Sequence, residues 1–137
     1  MTLKQRLNET DRFARANAMQ LTEIREGYAK AEMTVGSDHI NGAGVCQGGA
    51  IFTLADLAFA AVSNCYGTLT LGISNTIDFL NSARLGDHLV AEATESINHP
   101  KLPQCVIRVT NQDGVLIAMA TGRSYRKRQD FPFDELM

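Results

Sequence analysis

Between Asn41 and Tyr66 the chain reads NGAGVCQGGAIFTLADLAFAAVSNCY, a glycine-rich loop that passes directly into an almost wholly apolar run. Glycines stand at 42, 44, 48 and 49, and from Ala50 to Val62 only Thr53 and Asp56 interrupt the hydrocarbon. Alanine and leucine are strong helix formers and no proline intervenes, so the run predicts a helix starting near Gly48. Gly67 supplies the expected stop just beyond its end. Apolar residues fall on every side of this helix, the pattern of an element buried all round. A single curling sheet covers a helix on only part of its circumference. Burying the rest most simply calls for a second copy of the chain, so at least a homodimer is expected.

Asp56 contradicts the apolar pattern. A carboxylate inside a buried helix is costly unless it is paired or used. Its helical neighbours at three and four residues are Phe52, Thr53, Phe59 and Ala60, none of them basic. Burial without a cation raises an Asp pKa toward the range of a general base. The alternative is an Asp that emerges at a kink or a subunit seam and finds backbone donors there.

Size and charge bound the rest. A chain of 137 residues is one domain, spanning 1–137, with room for one core. A formal charge of −2 argues against nucleic acid as the main partner. Cys46, Cys65 and Cys105 show neither CxxC nor Cys/His ligand spacing, so no metal is expected and a reducing cytoplasm fits best. The amino terminus, MTLKQRLNETDRFAR, lacks an apolar signal core. The central apolar run is shorter than a membrane span. A soluble intracellular protein with no membrane partner is the expectation.

Along the chain, residues 3–18 predict a short surface helix with Leu3, Leu7, Phe13 and Ala16 on its loose apolar face. From Met19 the period shifts toward two, giving a hairpin around Glu26-Gly27. A turn-rich loop at 36–42 leads to the central helix. Thereafter strands are expected at 68–80, 88–97, 104–111 and 115–126, the last two joined through Asp113-Gly114. The tail, 129–137, is expected to fray. This is an α+β pattern of one long helix and five to six mostly antiparallel strands.

The stretch from Asn41 to Asp56, with the downstream SNTIDFLNSARLGD at 74–87, resembles the signature of hotdog-fold acyl-CoA thioesterases of the phenylacetic-acid-degradation branch. That branch carries approximately N-x-x-G-x-x-H-G-G, then an apolar turn and Asp. The resemblance covers roughly residues 20–127. It implies a helix wrapped by a curved sheet, an aryl- or medium-chain acyl-CoA substrate hydrolysed to free acid and CoA, no cofactor beyond the CoA carried by that substrate, and sites shared across a homodimer, with pairing to a homotetramer. One position departs: Gln47 stands where the family usually has His. Gln donates a hydrogen bond but carries no proton near neutrality.

On that resemblance the catalytic candidates are Asp56, Gly48, Asn41, Gln47 and Ser74. A glycine at a helix N-terminus offers an unpaired N–H backed by the helix dipole and lets an acyl group approach closely. Gly48 is therefore the expected oxyanion donor, with Asn41 and Gln47 fixing the carbonyl or the loop. Asp56 would activate water, or less readily attack directly. Ser74 would hold that water by family position. Read without the family, Ser74 is an ordinary strand residue and Asn41 a turn residue. Gly49, Arg84, Arg123, Arg126 and Lys127 are the substrate-binding candidates, the basic ones for CoA phosphates, although a solvated strand end reads the same way. Phe52, Phe59 and Phe79 are expected in the core, and His39, His88 and His99 in loops or at the surface.

Spacing also bears on assembly. Gly48 and Asp56 are eight residues apart, roughly 12 Å along one helix at ~1.5 Å per residue. Both must come within about 3 Å of one reacting centre. Two antiparallel helices about a two-fold axis would satisfy this, and one chain would not. The competing readings are an acyl-CoA-binding module without turnover, suggested by Gln47, and a hotdog dehydratase, which needs a His paired with the carboxylate.

Overall fold

The computed structural model describes residues 1–137. Two short helices, α1 (Leu3–Thr10) and α2 (Arg12–Ala16), precede the hairpin β1 (Gln20–Arg25) and β2 (Tyr28–Thr34). The central helix α3 spans Gly48–Ser63, followed by β3 (Thr68–Phe79), β4 (His88–Ile97), β5 (Gln104–Thr110) and β6 (Leu116–Asp130). All six strands form one antiparallel sheet in the order β1-β2-β4-β5-β6-β3.

The sheet wraps α3 closely because its inner face is lined with small residues. Ala29 and Ala31 on β2, Ala91 and Ala93 on β4, and Ala118 and Ala120 on β6 are all buried. They leave room for Leu54, Leu57 and Phe59 of the helix, also fully buried. Two strand glycines carry this furthest. A Cβ on Gly122 would stand 2.9 Å from Phe59 Cζ, and one on Gly72 would stand 3.0 Å from Phe59 Cε2. A side chain at either position would force that ring to shift in the core.

Three features differ from the sequence reading. The amino-terminal helix is broken at Asp11, which ends α1 and caps α2 by accepting from Ala14 N at 3.1 Å; an Asp competes for local backbone donors better than it continues a helix. The tail is docked rather than frayed: Leu3 N donates to Glu135 O at 2.8 Å and Lys4 N to Leu136 O at 3.1 Å. Phe131, Phe133 and Leu136 pack against the core. The central helix stops at Ser63, where Asn64 folds back to bond Ala60 O, Thr70 O and Thr70 N. As the sequence reading expected of a single sheet, α3 is not covered all round within one chain. Gly49 and Asp56 are exposed and Phe52, Thr53 and Ala60 half-buried, a stripe at helical spacing that the sheet does not reach.

Beside that stripe lies β3, an edge strand bonded only to β6. Along it Leu71, Ile73 and Phe79 are about half exposed, at 48%, 58% and 52%. A twelve-residue edge with apolar side chains is a template for pairing with another chain. No helix is long and apolar enough to cross a membrane.

Candidate active site

The loop before α3 is built by its own polar side chains. Asn41 Oδ1 accepts from Ala43 N at 2.9 Å and Val45 N at 3.2 Å, closing a turn in which Gly44 takes a left-handed φ of +81°. Cys46 N then donates to Ala83 O, and Gln47 N to His39 O. These bonds fix where the helix begins.

At the helix start, Gln47 is the N-cap. Its Oε1 accepts from Gly49 N at 2.6 Å, and its carbonyl accepts from Ala50 N and Ile51 N. Three of the first four helical N–H groups are thereby satisfied. Gly48 N makes no hydrogen bond within the chain and is left as the one free donor at the positive end of the helix. Gly49 must be glycine for the cap to form, since a Cβ there would sit 2.3 Å from Gln47 Oε1.

Asn41, Gln47, Gly48 and Gly49 line one open cleft together with Phe52, Ile77 and Phe79. A second hollow of about 350 Å³ on the other side of Gly48 is lined by Asn41, Phe79 and the segment Leu80–Ala83. The Phe79 ring separates them; its Cζ lies 3.1 Å from where a Gly48 Cβ would be. Phe79 is thus a cleft residue and not the core residue expected, and Phe52 is only half-buried. Of the three phenylalanines only Phe59 is in the core.

Asp56 lies elsewhere, at the mouth of a cavity of about 260 Å³ lined by Phe59, Ser63 and Gly72 among others. Partial burial, and then the negative charge of Asp11, raise its carboxyl above the ordinary value. None of the main clefts of the single chain contains both Gly48 and Asp56. Asp11 is a neighbour that helical spacing does not reveal, because it comes from the break between α1 and α2.

Ser74 is exposed on the edge strand and lines neither cavity. A bulge between Gly72 and Ser74 shifts the alternation of β3. Asn75 consequently turns toward α3, its Oδ1 2.7 Å from a would-be Cβ on Gly122 and its Nδ2 3.9 Å from one on Gly72. Its amide has no hydrogen-bond partner in the chain, and sequence reasoning did not single it out. The bulge was its only signal, and a bulge leaves no mark in composition.

The basic candidates separate. Arg84 is exposed and follows directly on the Leu80–Ala83 segment that walls the Gly48 hollow. Arg123 and Lys127 alternate with buried Ala120, Gly122 and Ser124 and so fall on the outer face of the sheet. Arg126 lies over the Tyr66 ring at 5.6 Å and donates to Asn98 Oδ1 at 3.2 Å. His39 is not at the surface but buried, with Gly36 N donating to its Nδ1 and its Nε2 against Asn17 O. Burial pushes the Cys105 thiol up to about 12 and raises Cys46 and Cys65, leaving all three protonated and unreactive at neutral pH. No group of three His, Cys, Asp or Glu side chains converges as a metal site.

Residues 43–118, over half the chain, match the family model of the thioesterase superfamily. An Archaeoglobus fulgidus protein, whose name places it provisionally among the esterases, is 42% identical over 130 residues, covering 95% of this chain and 84% of its own length. The acyl-coenzyme A thioesterase PaaI of Escherichia coli is 35% identical over 118 residues, covering 86% of this chain and 84% of its own. The solved structure of E. coli PaaI, a protein of the phenylacetic acid degradation operon, superposes with a TM-score of 0.89 at 32% identity, over 92% of this chain and 91% of that one. A Streptococcus mutans protein solved with acetyl CoA superposes with a TM-score of 0.78 at 25% identity, over 82% and 90%. With its long helix, its six-stranded wrap and these relatives, the chain belongs to the thioesterase superfamily as a PaaI-like thioester hydrolase of the hotdog fold.

Proposed function

We propose that this chain is an acyl-CoA thioesterase whose active site is completed across a two-fold dimer, Gly48 of one protomer facing Asp56 of the other. The observation that carries this is the single free donor, Gly48 N, at the helix start. It marks where a thioester carbonyl oxygen can be held. Asp56 of the partner takes a proton from water as the water adds to the carbonyl carbon. The negative charge that develops on the oxygen is stabilised by Gly48 N–H, and collapse of the adduct expels the CoA thiolate to leave the free acid. Asn75, turned toward α3, is better placed than Ser74 to hold that water. Arg84 is the cation best placed for a CoA phosphate at the Gly48 cleft. The uncovered stripe of α3 and the free edge of β3 supply the surface on which a second copy would pack.

A second reading is favoured by one observation. The Gln47 Oε1 is committed to capping Gly49 N, so this position gives no proton chemistry. An acyl-CoA-binding module without turnover would need none. A dehydratase is less favoured, because both ring nitrogens of the neighbouring His39 are already engaged.

Release of free thiol from acyl- and aryl-CoAs separates these readings when Gly48→Pro is compared with Gly48→Ala. Proline is tolerated at the first helical position, and Gln47 at φ −66°, ψ 135° has the extended backbone that a following proline requires. Gly48→Pro therefore deletes the donor and keeps the helix. The expected loss is about 10²–10³ in kcat, with a much smaller loss for Gly48→Ala. CoA esters that bind without any thiol release would establish the binding reading instead.

A further inference from the structure

Beside Asp56 the cavity of about 260 Å³ opens between the second half of α3, the start of β3 and two segments from the ends of the chain. Its apolar wall is Leu7 from α1, Phe59 and Ala60 from α3, Leu69 and Leu71 from β3, and Phe131 from the tail. Asn64 and Thr70, also in the wall, satisfy one another through Asn64 bonds to both Thr70 N and Thr70 O. Ser63 differs: it is 5% exposed and its Oγ has no hydrogen-bond partner. A buried hydroxyl without a partner is costly, and a water in this cavity or a turn back to the Phe59 carbonyl would satisfy it.

We propose that this cavity receives the acyl group of the thioester, and that Phe131 together with Leu7 sets the largest acyl group accepted. The inference rests on the hydrolase reading above, in which Asp56 acts at the carbonyl carbon. The acyl group leaves that carbon on the side away from sulfur, and the apolar hollow adjoining Asp56 is the space available to it. The hollow beside Gly48 has a more polar character, with Asn41, Asn81 and Ser82 in its wall, and suits the amide-bearing arm of CoA. At 260 Å³ the cavity falls below the ~300–1,000 Å³ of pockets that enclose whole drug-sized ligands. It has room for a ring or a short chain and not for a long fatty chain.

A size filter must be rigid, and the tail is pinned at several points. Phe131 N donates to Gly67 O at 2.9 Å, and Arg6 Nη1 donates to Pro132 O at 2.8 Å. The Arg6 guanidinium lies 3.6 Å above the centre of the Phe131 ring, holding it flat against the opening. The amino-terminal ammonium pairs with Asp134 further along.

The test is kcat/KM of the full-length protein over straight-chain CoA thioesters from acetyl through hexanoyl to dodecanoyl. For the unaltered protein a fall of about tenfold or more is expected from hexanoyl to dodecanoyl, since one misfitting methylene costs about 10–200-fold. Phe131→Ala removes the wall and should raise the dodecanoyl-to-hexanoyl ratio about tenfold. Leu69→Phe fills the hollow and should lower the hexanoyl-to-acetyl ratio of kcat/KM about tenfold. Leu69→Phe leaves the tail docked, so it decides the matter even where Phe131→Ala does not fold. Variants that hydrolyse acetyl-CoA yet keep the original chain-length profile overturn the pocket assignment alone. Unaltered protein that releases no thiol from any member or from an aryl-CoA such as phenylacetyl-CoA overturns the hydrolase reading, and the pocket assignment falls with it.

Discussion

Asp56 is held above its ordinary pKa by partial burial and by Asp11, and both causes have measurable consequences. A general base works deprotonated, so the rate should rise with pH through the Asp56 titration, on a limb lying above the ~3.9 of an unperturbed Asp. Asp11→Asn removes the neighbouring charge and keeps the cap of α2, because Asn caps as well as Asp. The limb should then move to lower pH, with the plateau rate nearly unchanged; a pH–rate profile of kcat/KM reads this directly. Asp56→Asn should lose about 10²–10⁴ in kcat at neutral pH. Its effect on stability has the opposite sense. A carboxyl raised in the folded state favours folding below its unfolded pKa, and that contribution is lost as pH rises through the folded value. At pH 7 the charged Asp56 therefore costs stability, and Asp56→Asn should melt at or above the temperature of the unaltered protein. A melting temperature well below it would show Asp56 to be a structural residue.

At the start of α3 the helix cap and the proposed oxyanion donor share the same atoms. Gln47 and Gly49 form the cap, and the cap leaves Gly48 N alone as a free donor. Gly49→Ala would drive a Cβ into Gln47 Oε1 and break that bond, at a cost of about 0.5–2 kcal/mol by urea unfolding. Activity should fall further than stability, since a loosened first turn no longer aims Gly48 N–H. The free Gly48 donor was legible in the sequence, because glycine at a helix start has few other uses; the Gln47 cap that isolates it was not. Strand positions were legible too, from period-two runs and turn residues. What else was not legible arises from contacts between distant segments. The tail looks frayed in isolation because its partners are Leu3 and Lys4, more than a hundred residues away. Phe79 reads as core because hydrophobicity alone does not say that its strand is an edge. Ser74 came from the family's pattern, and the bulge that turns Asn75 toward the helix leaves no mark in the sequence.

For the whole molecule, the question is what covers α3. The sequence pattern, apolar on every side, called for burial that one chain does not deliver. The stripe from Gly49 through Phe52, Thr53 and Asp56 to Ala60 stays open beside a free, partly apolar edge strand. A second copy packed there with its helix antiparallel would bury both and would bring Gly48 of each chain to Asp56 of the other. The arrangement makes a distinctive demand on mixed assemblies. An Asp56→Ala protomer keeps Gly48 N–H, and a Gly48→Pro protomer keeps the carboxylate. Each homodimer lacks one component at both of its sites, whereas the heterodimer contains one site with both components intact. Separately tagged chains, refolded together and purified through both tags, should regain about half the activity of the unaltered dimer, since one of two sites is whole. If each site lay within a single chain, every site in the heterodimer would be defective and no activity would return. The size of the recovery thus reports which chain each group comes from, independently of how tightly the two chains associate.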